Sequence, residues 1–164
     1  MRKNSRKHLL AGLIGIILSV MSLSLNAATA PDWILKDANG NEVSLSDYRE
    51  KALILHFWAT WCPYCKKLQP GLERLYRKYK EDGLEVLAIS WWEDEDARPQ
   101  EVLEDRGVTF KTLLDGDDVA KEYGVKGTPT TFFINKRGKL IWVTNGSDPD
   151  DPKMEEVLRG MLAD

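Results

Sequence analysis

The sequence has little cysteine and little histidine, with two of each in 164 residues. The cysteines are Cys62 and Cys65, and the histidines are His8 and His56. A structural zinc site needs four ligands, and His8 belongs to an amino-terminal segment that we expect to be processed or held at a membrane. We therefore predict no metal site and no cofactor. A copper site built from Cys62, Cys65 and His56 stays conceivable, although His56 lies in a strongly apolar stretch.

The sequence also lacks an apolar run of the roughly 20 residues that a typical spanning helix needs. Leu9–Leu25 is free of charge but is diluted by serine and glycine. A basic segment precedes it and small residues follow it, which is the layout of a secretory signal peptide. We predict that residues 1–27 are a signal peptide, with an uncleaved membrane anchor as the alternative. The possible cleavage points are Ala27, Ala28 and Ala30.

No cysteine comes directly after this apolar run, which excludes a lipoprotein. Both alternatives predict export. A cleaved signal peptide predicts a periplasmic protein, and an uncleaved segment predicts a protein anchored to the outer face of the inner membrane. The first 27 residues contain four of the 23 basic side chains and none of the 26 acidic ones, so their removal changes the net charge from −3 to −7. A domain this acidic is a poor nucleic-acid binder. The remaining residues 31–164 suit one domain, and the sequence has no internal repeat and no low-complexity segment.

Two cysteines three positions apart can form a structural bridge, part of a metal site or a redox centre. Disulfides persist outside the cytosol, but a loop this short gives only about 2 kcal/mol, against about 3 kcal/mol for a 15-residue loop. One such bridge therefore adds little to the stability of a domain with a sizeable core. The pair Cys62 and Cys65 therefore favours redox chemistry.

The residues around the pair predict where it lies in the fold. The stretch ALILHFW, residues 52–58, is almost entirely apolar and predicts a buried central strand. Leucines and tyrosines then repeat at helical spacing from Pro63 onward, and proline is tolerated in a first helical turn. Cys62 thus lies where a helix begins, and the unpaired N–H groups there favour its thiolate. We predict that Cys62 attacks a disulfide and that Cys65 resolves the product.

The rest of the sequence alternates between strand and helix patterns, which predicts an α/β fold with a mixed sheet. The stretch 33–45 reads as a hairpin around Asn39-Gly40, and Pro152 begins a last amphipathic helix. A helix capped by Asp96 is expected to run to Arg106. The other expected strands cover residues 84–92, 109–115, 130–135 and 139–145, and a short helix covers residues 117–123.

With these elements in order, the chain resembles a known family. The segments FWATWCPYC and GTPTTFFIN, together with KDANGNEVSLSDY and LEVLAIS, are similar to the TlpA/ResA-like branch of exported thioredoxin-like proteins. The resemblance implies a thioredoxin fold: a central mixed β-sheet flanked by helices, with an N-terminal β-hairpin extension and an inserted strand–helix unit. It also implies a nucleophilic Cys62, a resolving Cys65 and a cis bond before Pro129.

The resemblance implies a dithiol reductase of periplasmic substrate disulfides, of the cytochrome c maturation type. Its partners are then exported proteins with disulfides and a membrane thiol–disulfide transporter as electron donor. The dipeptide Pro63-Tyr64 differs from the pair that is frequent in this branch, so a dithiol oxidase or isomerase is the alternative, and a non-enzymatic copper carrier is an alternative of another class. A thiol-specific peroxidase of this fold has T-x-x-C, whereas here Ala59 stands three residues before Cys62.

Further side chains are expected to complete the site. Glu93 follows a central strand at its carboxyl end, where sites in α/β sheets gather, and we expect it to take the proton of Cys65. His56 is a second possible base, or simply a buried core histidine. Trp58 is expected to be a core residue. Trp91 and Trp92 point to opposite faces if the strand continues, so core packing is expected for both, with the alternative that one of them lines the site. The residues expected to contact substrate are Trp61, Pro63, Tyr64, Thr128 and Pro129.

Overall fold

The computed structural model describes residues 27–163. The predicted signal peptide or anchor, residues 1–27, lies outside the described residues except for Ala27. Between residues 27 and 163, no helix is long and apolar enough to cross a membrane.

The described chain alternates between strands and helices as the sequence predicts. The strands are β1 Ile34–Asp37, β2 Glu42–Ser44, β3 Ala52–Trp58, β4 Leu84–Ser90, β5 Lys111–Leu114, β6 Thr130–Ile134 and β7 Leu140–Thr144. The α-helices are α1 Pro63–Tyr79, α2 Pro99–Asp105, α3 Asp117–Glu122 and α4 Pro152–Ala163. Two short 3₁₀ turns, Leu45–Tyr48 and Lys80–Asp82, precede β3 and β4.

The strands form one mixed sheet in the order β2-β1-β5-β4-β3-β6-β7. The three strands β3, β4 and β5 are parallel, and the pairs β1–β2, β1–β5, β3–β6 and β6–β7 are antiparallel. The β1–β2 pair is the predicted hairpin extension, and α2, β5 and α3 lie between β4 and β6 along the chain. The predicted thioredoxin fold is confirmed.

The central strand β3 is buried at all seven positions because both faces of the sheet are covered. Ile54 and Trp58 pack on one face with residues of α1, α2 and α4. Leu53, Leu55 and Phe57 pack on the opposite face with residues of α3 and the amino-terminal hairpin. This two-sided burial explains why the strand reads as a continuous apolar run in the sequence.

The register of the central strands brings three loops to one edge of the sheet. Trp58 at the end of β3 pairs with Ser90 at the end of the parallel strand β4. Thr130 at the start of the antiparallel strand β6 pairs with Phe57. The loop that contains the cysteines, the loop after β4 and the loop before β6 therefore meet at this edge.

Two expectations for the region after β4 are wrong. The strand ends at Ser90, and Trp92 has a positive φ of 56°, so the chain turns before the second tryptophan instead of continuing. Helix α2 begins at Pro99 rather than after Asp96, because residues 94–97 form a turn in which the N–H of Ala97 donates to the carbonyl of Asp94. Trp92 is consequently 59% exposed and does not belong to the core.

Candidate active site

Cys62 is the N-cap residue of α1 and is joined to Cys65 by a disulfide, with the Cα atoms 5.3 Å apart. The backbone of Cys62 is extended and Pro63 occupies the first helical turn. The Sγ atom of Cys62 accepts a hydrogen bond of 3.0 Å from the N–H of Cys65. The predicted position of Cys62 at the start of a helix is confirmed, and its sulfur faces donors that stabilise negative charge.

The two sulfurs are covered by protein, but the surface around them is open. Cys62 is 2% exposed and Cys65 is fully buried. Trp61 and Tyr64 are 47% and 62% exposed, and Pro63 is also exposed. Trp61, Pro63 and Tyr64 therefore form exposed surface beside the disulfide.

Trp92 extends this exposed surface. Its ring packs edge-on against Trp61, with the centroids 5.2 Å apart, and its carbonyl accepts a 2.9 Å hydrogen bond from the indole Nε1 of Trp61. The N–H of Trp92 donates to the Asp117 carboxylate at 3.2 Å. Its positive φ is uncommon for a bulky residue, and the result is an aromatic pair displayed beside the disulfide. Trp58 is fully buried as predicted, and Trp91 is half-buried.

Glu93 lies beside the loop that leads to the cysteines and is half-buried. Its carboxylate accepts hydrogen bonds from the Thr60 N–H at 2.9 and 3.1 Å, the Thr60 hydroxyl at 2.7 Å and the Ser90 hydroxyl at 2.6 Å. The structure thus links Glu93 to a residue two positions before Cys62. This link makes Glu93 an anchor of the loop, a role that its place in an acidic sequence run did not indicate.

Arg106 is a second anchor, which no sequence pattern indicated. Its guanidinium donates to the Thr60 carbonyl and to the Gln69 side-chain oxygen, each at 2.8 Å, and lies 5.4 Å from the Trp58 ring centroid. These partners are distant in sequence from Arg106, so no local motif marks the contact. Thr60 and Gln69 were missed for the same reason.

His56 is completely buried in β3. Its Nδ1 lies 3.0 Å from the Thr131 hydroxyl, and its Nε2 has no hydrogen-bond partner in the described part of the chain. Burial, with a smaller effect from the positive charge of Arg106, lowers the pKa of His56 to about 3. The imidazole is therefore neutral at physiological pH.

The loop before β6 contributes Thr128 and Pro129. The bond between them is cis, as the resemblance implied. The Thr130 hydroxyl donates to the Gly127 carbonyl at 2.7 Å, and the Asn145 side chain donates to the Pro129 carbonyl at 3.3 Å. These bonds fix the loop from both sides, while Thr128 stays partly exposed.

Residues 27–163 contain no group of three or more His, Cys, Asp or Glu side chains arranged to hold a metal ion. The edge of the sheet does contain the Cys62 and Cys65 sulfurs, which can form and break one disulfide bond. A nucleophilic sulfur at a helix start, a second sulfur in reach and an exposed apolar surface suit thiol–disulfide exchange.

Comparisons with known proteins agree with this chemistry. Residues 27–143 match the model of the AhpC/TSA family. The thiol-disulfide oxidoreductase ResA of Geobacillus thermodenitrificans is 40% identical over 121 residues, which cover 73% of this chain and 69% of the relative. ResA of Bacillus subtilis is 32% identical over 160 residues, which cover 90% of this chain and 89% of the relative.

The fold is similar to that of a Chlorobium tepidum protein described as a candidate thiol:disulfide interchange protein DsbE. The two structures superpose with a TM-score of 0.73 at 30% identity, covering 85% of this chain and 98% of the other.

Proposed function

Because the chain belongs to the AhpC/TSA family and is a thiol-disulfide oxidoreductase, we propose that it is an exported reductase of disulfides in other proteins. The observation that supports this proposal is the Cys62–Cys65 disulfide at the start of α1, with exposed apolar side chains around it. The basic segment and apolar run at the amino terminus support export.

The reaction follows from the two sulfurs. In the reduced protein, the Cys62 thiolate attacks one sulfur of a substrate disulfide, a Cys62–substrate bond forms, and the other substrate sulfur leaves as a thiolate. Cys65 then loses its proton and attacks the Cys62 sulfur, which releases the second substrate sulfur. Two electrons pass to the substrate, and the protein ends with the Cys62–Cys65 disulfide that the structure contains.

We assign the Cys65 proton to Glu93. The carboxylate contacts the loop that leads to Cys62 through both polar hydrogens of Thr60, and it is the acidic group that the structure places in that loop's hydrogen bonds. His56 is less suitable as a base, because burial holds its imidazole neutral with a pKa of about 3. A base with so low a pKa gains little from accepting a thiol proton.

Substrate recognition is assigned to the exposed residues beside the disulfide and to the loop before β6, where Thr128 is half-buried and Pro129 is buried. Trp61, Pro63 and Tyr64 offer apolar surface beside the disulfide. Thr128 and Pro129 lie in the loop before β6, at the same edge as the end of β3. An extended substrate segment can pair with the backbone of Thr128 as an added strand, which presents its disulfide to Cys62.

The cycle needs a dithiol donor, because each turnover leaves the protein oxidised. Outside the cytosol we assign this role to a membrane thiol–disulfide transporter. Such a donor would exchange disulfides with the same Cys62–Cys65 pair. The exposed surface of Trp61, Pro63 and Tyr64 then serves both the donor and the substrate.

The proposal is tested by trapping. A Cys65→Ala variant stops the reaction at the Cys62–substrate disulfide, so exported proteins with disulfides should accumulate as covalent adducts that reducing agents release. The matched control is Cys62→Ala, which retains one thiol but should capture nothing. Equal capture by the two variants, or no capture by either, would contradict the assigned roles.

A further inference from the structure

Thr60 is held at all three of its backbone and side-chain polar groups by two side chains of opposite charge. Its N–H and hydroxyl donate to Glu93, and its carbonyl accepts from Arg106. The chain reaches Cys62 two residues later, and the Cys62 N–H donates to the Ala59 carbonyl at 3.1 Å. The loop that presents Cys62 is therefore fixed on one side by a carboxylate and on the other by a guanidinium.

Arg106 reaches this position from the end of α2. Leu103, one turn earlier, packs in the same buried cluster as Cys62 and Cys65. The guanidinium also binds Gln69, which lies one helical turn after Cys65 in α1. Arg106 thus connects the loop before Cys62 with the helix that contains Cys65.

Arg106 makes no direct ion pair with any of residues 27–163. Burial lowers the pKa of its guanidinium, and the charge of Glu93 on the other side of Thr60 partly opposes this effect. Other arginines of the described chain have such partners, including Arg98 with Glu101 at 3.2 Å and Arg159 with Glu155 at 2.7 Å. Gln69 accepts from Arg106 while its own buried amide Nε2 has no partner in the described structure. A buried donor without a partner is unfavourable, so this contact is retained at a cost to stability.

Other charged groups lie on the elements around the disulfide, and most of them are exposed. Lys66 and Lys67 follow Cys65 but are exposed, and His56 on β3 is neutral. Salt and water screen these exposed charges more strongly than the charge of Arg106, which is half-buried. The loop after β4 also contains Glu93, Asp94, Glu95, Asp96 and Arg98. Asp115 and Asp117 lie before and at the start of α3, and Lys126 lies in the loop before β6.

We propose that Arg106 is a positioning residue that fixes the Thr60 carbonyl and brings a positive charge to the cysteine loop, favouring the Cys62 thiolate in the reduced protein. This inference rests on the proposed role of Cys62 as the attacking sulfur. A nearby positive charge stabilises a thiolate and leaves the neutral thiol unaffected. It therefore stabilises the reduced pair relative to the disulfide and shifts the equilibrium with glutathione toward the dithiol.

The test uses reduced protein with the Cys65→Ala change, so that Cys62 is the sole thiol. The rate of alkylation of Cys62 by iodoacetamide is measured from pH 5 to pH 9 (roughly the range in which tuned thiols titrate). Arg106→Gln should slow alkylation at neutral pH by roughly threefold or more and move the midpoint of the pH profile upward. Arg106→Met, which keeps the apolar stem against Trp58, is the second variant in case the first does not fold.

Two further variants separate charge from packing. Arg106→Lys keeps the positive charge and should restore part of the lost rate. Arg98→Gln makes the same change in net charge at the other end of α2, where the side chain is 72% exposed, and should behave as the parent protein does. Charge-removing variants at Arg106 that fold and keep the parent pH profile would overturn the inference. A parent Cys62 that titrates like a free thiol, near about 8.5, would instead overturn the proposed role of Cys62.

Discussion

Cys62 and Cys65 are chemically identical residues in different surroundings. Cys62 ends an extended segment and its sulfur faces the N–H of Cys65 at the helix start. Cys65 lies inside the first turn of α1 and is fully buried. Donors at a helix start favour the charged form of a thiol, and burial among apolar side chains disfavours it. The two residues are thus suited to attack and to resolution, respectively.

The first prediction concerns this asymmetry. In reduced single-cysteine variants, Cys62 should be alkylated at neutral pH about tenfold faster than Cys65, because its thiolate fraction is larger. Thiolate absorbance near 240 nm during a pH titration of each variant reports the two pKa values independently. A pKa of the Cys62 thiol at or above that of Cys65 would reverse the assigned roles.

The second prediction concerns Glu93. Glu93→Gln removes the charge that is proposed to accept the Cys65 proton, so resolution of a preformed mixed disulfide should slow by roughly threefold or more. The change also replaces one acceptor oxygen by an amide NH2 group, a donor that faces the donors of Thr60 and Ser90, which should cost about 1–3 kcal/mol of stability. Rates are measured by stopped flow across pH 6–9 (roughly the range below and around the ordinary thiol pKa of about 8.5), below the thermal transition of the variant.

His56→Asn is the control for this experiment, because a neutral core histidine should contribute little to the rate. A Glu93→Gln protein that resolves mixed disulfides at the parent rate at every pH would limit Glu93 to holding the loop. The Cys65 proton would then pass to another acceptor, and the contribution of Glu93 would be to hold Thr60.

At the scale of elements, the patterns that depend on local sequence predict the structure well. The bounds of β3 and the start of α1 match, because a buried strand and a proline-started helix are both marked by adjacent residues. The region after β4 differs, since Trp91 and Trp92 have the side chains of a strand but the chain turns there. That turn depends on tertiary bonds to Trp61 and Asp117, which the local sequence does not contain.

The third prediction follows from the buried histidine of β3. The folded protein holds the pKa of His56 near 3 because burial disfavours its charged form, whereas in the unfolded chain it is about 6.5. The unfolded state therefore binds a proton that the folded state does not, and stability should fall as the pH drops below about 6.5, by up to about 1.4 kcal/mol per pH unit.

Denaturant unfolding at a series of pH values between about 6.5 and 4.5 measures this slope, in a window above the ordinary range of most carboxyl groups. His56→Asn should be less stable overall, because it leaves a cavity, but its stability should depend less on pH. Parallel slopes for the two proteins would show that protonation of His56 is not what destabilises the fold in acid.

At the scale of the molecule, the sheet order brings three loops together that are far apart in sequence. The resemblance anticipated this arrangement, including the cysteines and the cis bond before Pro129. It did not anticipate that Thr60 lies between Glu93 and Arg106, because this contact joins the loops after β3 and β4 to the end of α2. Contacts of this kind require the folded structure, since each residue alone reads as an ordinary surface or loop position.

We propose that the folded molecule donates electrons, and the reduction potential of the Cys62–Cys65 pair tests this proposal most directly. The protein is equilibrated with mixtures of reduced and oxidised glutathione, and the fractions of dithiol and disulfide are measured after acid quenching and alkylation. We expect a potential nearer to the value of about −270 mV for thioredoxin than to the value of about −120 mV for the strongest oxidant. A potential above about −150 mV would contradict the account and identify the protein as a dithiol oxidase.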